Sequence, residues 1–330
     1  MQNHPRLRHG TLISRSEQNS LVAMVGRRCV DIEVEEGSKD ALLRMKRYLT
    51  GDYSIVEIAA RLAIEESDVR RVLAQFDEIG ILAAPAHTDR IGREVFLERI
   101  DETVTMWRRQ MSYHPLFGKL ESGAARIEVF QGLIVETYHY VKSATTHIAN
   151  AIAHCESPDW KALLSHYFTQ ELGHEALVLQ ALTEMGFSKD KIVASNPNIG
   201  TTSLIGNLCH IGSKSTLGYF LCLRLMEGQS ETVHTGIGSL RRIAQQYGIK
   251  ESAIQPIVTH ALMDEQGGHG RLLEEALQFT DAITVEEANL AVNSMHDMKH
   301  SFDQYYDQIL MYYSNVSSYV PRPRIDFFCI

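Results

Sequence analysis

The sequence predicts a mainly α-helical protein, a large helical bundle preceded by a small α+β domain. Three observations carry this. From Ile91 to Ser318 apolar residues recur at helical spacing with no sustained period-2 alternation. Before residue 90, two β-rich runs, LVAMV and CVDIEV, precede three short helical patterns. Gly186, Gly228, Gly248, Pro158 and the stretch around Pro197 punctuate the long helical region. At 330 residues the chain has length for two domains, and we place them at 1–88 and 89–330.

In the first domain the two strands are separated by Gly26, Arg27 and Arg28. A helix is expected from Ser38 to about Leu49. A second starts at Ser54, because Ser54 and Glu57 have capping-box spacing. A third runs from Ser67 to Asp77 with Val69, Val72, Leu73 and Phe76 as its apolar stripe. Ala83-Ala84-Pro85-Ala86 then reads as a linker. Strands followed by three short helices make a winged-helix-like domain. DNA binding is not expected of it: residues 1–90 hold 13 Lys+Arg against 14 Asp+Glu, without the basic footprint that phosphate contacts require.

The whole chain carries a formal charge of −9, which argues against nucleic acid or an anionic membrane as partner. Neither a signal-peptide core nor an uninterrupted apolar span is present. Five scattered cysteines without a CxxC pair read as free thiols, so a cytoplasmic location is expected.

Helices are expected over about 92–112, 127–155, 159–186, 212–227, 230–247, 251–279 and 284–317. In the segment 159–186, Trp160, Leu164, Tyr167, Val178, Ala181 and Met185 mark a buried stripe. The missing steps of that stripe are Glu171 and His174, about 60° apart on an ideal helix. A buried carboxylate is costly unless it is paired or bound to metal, so an inward ExxH points to metal ligation, with a buried ion pair as the plainer reading. Glu227 shares a face with Phe220 and Leu223. It sits in the last turn, where it opposes the helix dipole and so serves no capping purpose. A surface pair with Arg224 is its alternative.

The segment HALMDEQGGHG brings His260, Asp264, Glu265 and His269. His260 and Asp264 are stacked at i, i+4, but His269 lies about 140° from Asp264 on an ideal helix. The three converge only if Gly267-Gly268 bends or breaks the helix. By periodicity Glu265 points inward more squarely than Asp264, and either could be the carboxylate. A second ExxH, Glu136 and His139, falls on the polar side of a stripe formed by Phe130, Ile134, Tyr138 and Val141, so it is expected in solvent or lining a substrate pocket. His296 and His300 read as a surface pair.

Three passages, HYFTQELGHEALVLQALTEMGF, GYFLCLRLMEG and HALMDEQGGHG, together resemble the heme-oxygenase-like di-iron oxidases and oxygenases, whose helical fold is shared with pyrroloquinoline-quinone synthase. The resemblance spans roughly residues 120–318. It implies a metal set of Glu171, His174, Glu227, His260, Asp264 and His269, and it is the ground for preferring Asp264 over Glu265. It also implies two Fe(II) ions, bridged by Glu227 or Asp264, with O2 as co-substrate. The five-residue gap between Asp264 and His269 is wider than many members show. The stretch Thr11–Ala84, through DYSIVEIAARL and VRRVLAQFDEIGIL, resembles the peptide-chaperone domain of pyrroloquinoline-quinone biosynthesis and related leader-peptide recognition elements. That likeness implies a leader or carrier peptide docking beside the third helix. The expected function is an O2-dependent oxidase or oxygenase acting on a small amine, amino acid or peptide-derived substrate in natural-product biosynthesis, with a homodimer as the expected assembly. The alternatives are a metal-free oxidase like pyrroloquinoline-quinone synthase and a non-catalytic peptide-binding scaffold.

Overall fold

Alternation begins the chain. In the computed structural model, which describes residues 3–8, 12–15, 20–25, 28–33, 39–83, 90–227 and 230–328, three antiparallel strands form a meander. These are β1 (Leu12–Arg15), β2 (Ser20–Val25) and β3 (Arg28–Glu33), in the order β1-β2-β3. Leu21 and Ala23, two residues apart, point to one face with Ile32 and are buried. Onto that face pack α1 (Lys39–Met45), α2 (Ile55–Leu62) and α3 (Glu66–Glu78) through Leu42, Ile55, Ile58, Val69, Leu73 and Phe76. The expected capping box is present: Ser54 accepts from the Glu57 N–H and the Glu57 carboxylate accepts from the Ser54 N–H. The sequence reading missed β1 and two short strands, Arg90–Gly92 and Ala282–Thr284. Of the expected linker, residues 84–86 lie outside the described residues, as do the expected stop at Gly228 and the turn residues Gly26 and Arg27.

The chain divides into two compact units, Met1–Arg108 and Arg109–Ile330, with α4 (Arg93–Ser112) running through the division. The second unit is mainly helical, with one short strand (Ala282–Thr284) among its described residues. Its elements are α5 (Pro115–Glu121), α6 (Ile127–Lys142), α7 (Ala144–His154), α8 (Pro158–Gln170), α9 (Glu175–Glu184) and α10 (Lys189–Val193). There follow α11 (Ile199–Lys214), α12 (Thr216–Met226), α13 (Ser230–Gln246), α14 (Glu251–Gly267), α15 (Leu272–Leu277) and α16 (Val285–Ser314). The core is built where α12 and α11 pack on α16, and where α9 packs on α14 and α6. Among the described residues no helix is long and apolar enough to cross a membrane.

Several expected helices are interrupted. The segment 127–155 breaks at Ser143 into α6 and α7, and 159–186 breaks at 171–174 into α8 and α9. Gly173 carries the second break with φ +88°, a conformation open to glycine at little cost. The segment 251–279 stops at Gly268, with φ +76°, and resumes as a 3-10 turn (His269–Arg271) and α15. The break anticipated at the glycine pair is therefore present.

Three helices were not anticipated, the short α5 and α10 and the longer α11. Residues 199–214 are rich in Gly, Ser, Thr and Asn, poor helix formers, yet Leu204, Leu208 and Ile211 bury a regular stripe that fixes α11.

Glu136 is also not in solvent. It is 0% exposed, accepting from the Asn198 N–H at 3.0 Å, the Tyr313 hydroxyl at 2.7 Å and the Thr201 hydroxyl. The polar side of α6 faces α11 and α16, so both of its faces are internal. Burial pushes the Glu136 carboxyl up despite these donors. His139 is likewise buried, against the Ser195 hydroxyl at 2.9 Å.

Candidate metal centre

Four of the six candidate ligands are placed by a helix end or by the turn that follows it. Glu171 is the residue after α8, His174 the residue before α9, and Glu227 the residue after α12. His260 and Asp264 lie on α14, and His269 opens the 3-10 turn beyond Gly268. All six converge. His174 Nδ1 is 3.4 Å from Glu171 Oε2 and 3.2 Å from Asp264 Oδ1. His269 Nδ1 is 3.1 Å from Glu171 Oε1, 3.5 Å from Asp264 Oδ1 and 3.9 Å from Glu227 Oε2. His260 Nδ1 is 3.4 Å from Asp264 Oδ2. Glu171 and His174 are each 6% exposed and His269 2%. Glu265 makes none of these contacts, so of the two carboxylates left open by periodicity it is Asp264 that faces the cluster.

These distances are in ion-pair range but lack hydrogen-bond alignment. His174 Nδ1, His260 Nε2, His269 Nδ1 and Asp264 Oδ1 are buried and have no hydrogen-bond partner. Leaving a buried polar atom unsatisfied costs about 1–3 kcal/mol, and four such atoms here share one neighbourhood. A cation fits that pattern, because it takes a lone pair from each imidazole and each carboxylate at once. Two groups offer ligand atoms within 4.8 Å of one another: Glu171, His174 and His260, and then Glu171, Asp264 and His269. Glu171 belongs to both. Mixed imidazole and carboxylate donors suit a first-row metal such as iron and leave positions for small molecules.

The electrostatics agree with a site built for positive charge. Burial, with the Asp264 and Glu171 charges, pushes the Glu227 carboxyl up to about 8. The Asp264 carboxylate raises the His174 imidazole, and the Glu171, Glu227 and Asp264 carboxylates raise His269 against its burial. Burial lowers His260.

Two supports escaped the sequence reading. Tyr167 donates from its hydroxyl to Glu227 Oε1 at 3.0 Å and sets its ring edge-on to His269, centroids 4.8 Å apart. It stands four residues before Glu171 on the buried stripe, which is the signal that could have found it. Arg224 does not lie on the surface. It is buried, donating to the Gly270 carbonyl and pairing with Glu274 at 3.0 Å, so it braces the turn that carries His269. His296 and His300 form a pair on α16, ring nitrogens 3.2 Å apart, with His300 exposed.

No curated protein matches the sequence. The chain is similar to a domain of unknown function with a heme oxygenase-like fold from Shewanella denitrificans, at 20% identity and TM-score 0.60, covering 69% of this chain and 98% of that one. A TenA homologue from Pyrococcus furiosus matches at 17% identity and TM-score 0.49, covering 65% of this chain and 99% of that one. A family model described as iron-containing redox enzyme matches residues 131–299, more than half of the chain. With a heme-oxygenase-like fold and a buried set of histidines and carboxylates inside the matched region, the chain belongs to this family of iron-containing redox enzymes.

Proposed function

We propose that the protein is a non-heme di-iron oxidase or oxygenase that uses O2 on a small amine, amino acid or peptide-derived substrate. The observation that carries this is the meeting of four unsatisfied buried ligand atoms in two groups that share Glu171. In this reading Glu171, His174 and His260 hold one ion, Glu171, Asp264 and His269 hold the other, and Glu227 completes the set. Glu171, the member common to both groups, would take part in holding each ion. When bound, the iron pair supplies the electrons that reduce O2. The protein's part is to fix the donors, keep bulk water from the buried face, and hold the Glu227 carboxylate by the Tyr167 hydroxyl.

The same reading gives the N-terminal unit a leader or carrier peptide. Among the described residues β3 pairs only with β2, and a peptide added along its other edge would complete the ladder. A fluorophore on Cys29, which is exposed on β3, is expected to change emission as such a peptide docks.

The deciding test is anaerobic Fe(II) reconstitution with metal analysis. Two irons per chain and a transient visible absorption on adding O2 are expected, both lost in Glu171→Ala. Fewer than one iron per chain, with turnover indifferent to Glu171→Ala or to a strong chelator, overturns the reading in favour of a metal-free oxidase.

A further inference from the structure

Three tyrosines lie in the electrostatic field of the candidate centre. Burial, reinforced by the Glu171 and Glu227 charges, pushes the phenols of Tyr140, Tyr167 and Tyr219 well up. Each keeps its proton, and a phenol in such surroundings gives up an electron only when a base takes that proton, since a buried unpaired charge is costly. The three differ in what their hydroxyls meet. Tyr167 donates to Glu227 Oε1 at 3.0 Å. In the reading above that carboxylate serves the ions, and a proton on it would compete with them. Tyr140 donates to the Met226 thioether at 3.0 Å, a weak acceptor that holds no proton. Tyr219 faces an imidazole: its hydroxyl is 2.7 Å from His147 Nδ1. Tyr219 is 0% exposed and His147 3%. Burial lowers His147 to about 3, so the ring is neutral. With its own proton on Nε2, that ring presents the Nδ1 lone pair to the hydroxyl, within reach for proton transfer.

The pair also connects to the centre through side chains. The His147 ring stacks on the Tyr140 ring, centroids 6.4 Å apart and planes 24° from parallel. The Tyr140 hydroxyl reaches Met226, and the next residue in the chain is Glu227.

We infer that Tyr219 and His147 form a redox site, at which Tyr219 gives one electron to the centre while its proton passes to His147. The inference rests on the reading of the centre as iron, and the oxidant is that iron after its reaction with O2. The Tyr219 O–H bond breaks, an N–H bond forms at His147 Nδ1, and the electron reduces the centre. A neutral phenoxyl radical and an imidazolium remain. An oxidised phenol is a far stronger acid than an imidazolium, so the proton moves even to a histidine that burial keeps from charging. The same burial returns the proton once an electron comes back, which makes the site reversible.

The test is freeze-quench electron paramagnetic resonance on the Fe(II)-loaded full chain mixed with O2 in the absence of substrate. A phenoxyl signal is expected, with hyperfine splitting that collapses when the chain carries ring-deuterated tyrosine. Tyr219→Phe is expected to abolish it. Tyr305→Phe is expected to leave it, because that hydroxyl meets Thr137 rather than a base. His147→Gln keeps a hydrogen-bonding side chain without a base and is expected to slow formation by about a hundredfold or more. A second arm needs no iron: azide radicals from pulse radiolysis oxidise the metal-free chain, and the longest-lived phenoxyl radical is expected to vanish in Tyr219→Phe. A signal retained in Tyr219→Phe, or formed at the native rate in His147→Gln, overturns the inference. So does a Tyr219 radical that azide produces and the iron-loaded chain does not. A chain that binds two irons and shows no Tyr219-dependent radical loses this inference alone. A chain that binds no iron but holds the azide-generated radical on Tyr219 loses the iron reading and keeps the pair as a redox site.

Discussion

Tyr167 shows how much one hydroxyl can hold. It restrains Glu227 by a 3.0 Å hydrogen bond while its ring packs on His269, so Tyr167→Phe removes the bond and leaves the packing. Second partners of metal ligands typically contribute 10–100-fold to metal affinity. A loss of about that size is expected for Tyr167→Phe in competition against a chromophoric chelator, with the melting temperature of the metal-free protein nearly unchanged. Two other side chains set the acid limit. His147, bonded to the Tyr219 hydroxyl at 2.7 Å, is lowered by burial to about 3, and His139 is lowered by burial and the Lys142 charge to about 4. An imidazole with a depressed folded pKa contributes stability above its ordinary value, and that contribution is lost as pH falls through the window toward the folded value. Urea unfolding is therefore expected to show stability falling from about pH 6.5 toward pH 4, with a shallower fall in His147→Gln.

At the scale of elements, glycines decide where helices stop and how closely they approach. Gly173 at φ +88° has open space where a Cβ would stand, so Gly173→Ala meets only backbone strain, about 1–2 kcal/mol. That loss should appear in urea midpoints together with weaker metal retention, because Glu171 and His174 flank the turn. Gly132 on α6 differs: a methyl group there would overlap the Tyr313 ring on α16. Gly132→Ala is expected to destabilise by about 1–3 kcal/mol through overpacking and to displace the hydroxyl that holds Glu136.

The breaks in the helices were the hardest part to read. Glu171 and His174 interrupt the apolar stripe in register, so the periodicity survives a turn that the backbone does not. Their inward direction was legible, while the end of α8 was visible only through a single glycine. Gly267-Gly268 was legible because two adjacent glycines within a helix need a reason. Glu136 was misjudged because its face is polar by composition yet covered by α11, a helix whose own sequence has little intrinsic tendency to form. Tertiary packing, not local preference, makes that face internal.

At the scale of the whole molecule, the charge arrangement ties folding to metal. Metal that binds the folded state alone raises its stability by mass action. Anaerobic Fe(II), or redox-inert Mn(II), is expected to raise the melting temperature of the native protein. An unchanged value would favour the reading of the cluster as structure alone. Glu171→Ala is expected to abolish the response, since both ligand groups lose their common member.

Four of the six converging residues stand at helix ends rather than within helices, and this bears on how an ion arrives and leaves. An end frays at little cost while the body of the helix stays closed. Exchange of the ion then needs only the short stretches 171–174 and 268–271 to open, with the bundle intact behind them. Hydrogen exchange should find the amides of those two stretches among the fastest in the metal-free second unit and slowed on loading, while those at the centre of α16 stay the same. A centre held in this way is one the cell could fill, empty and refill without refolding the protein.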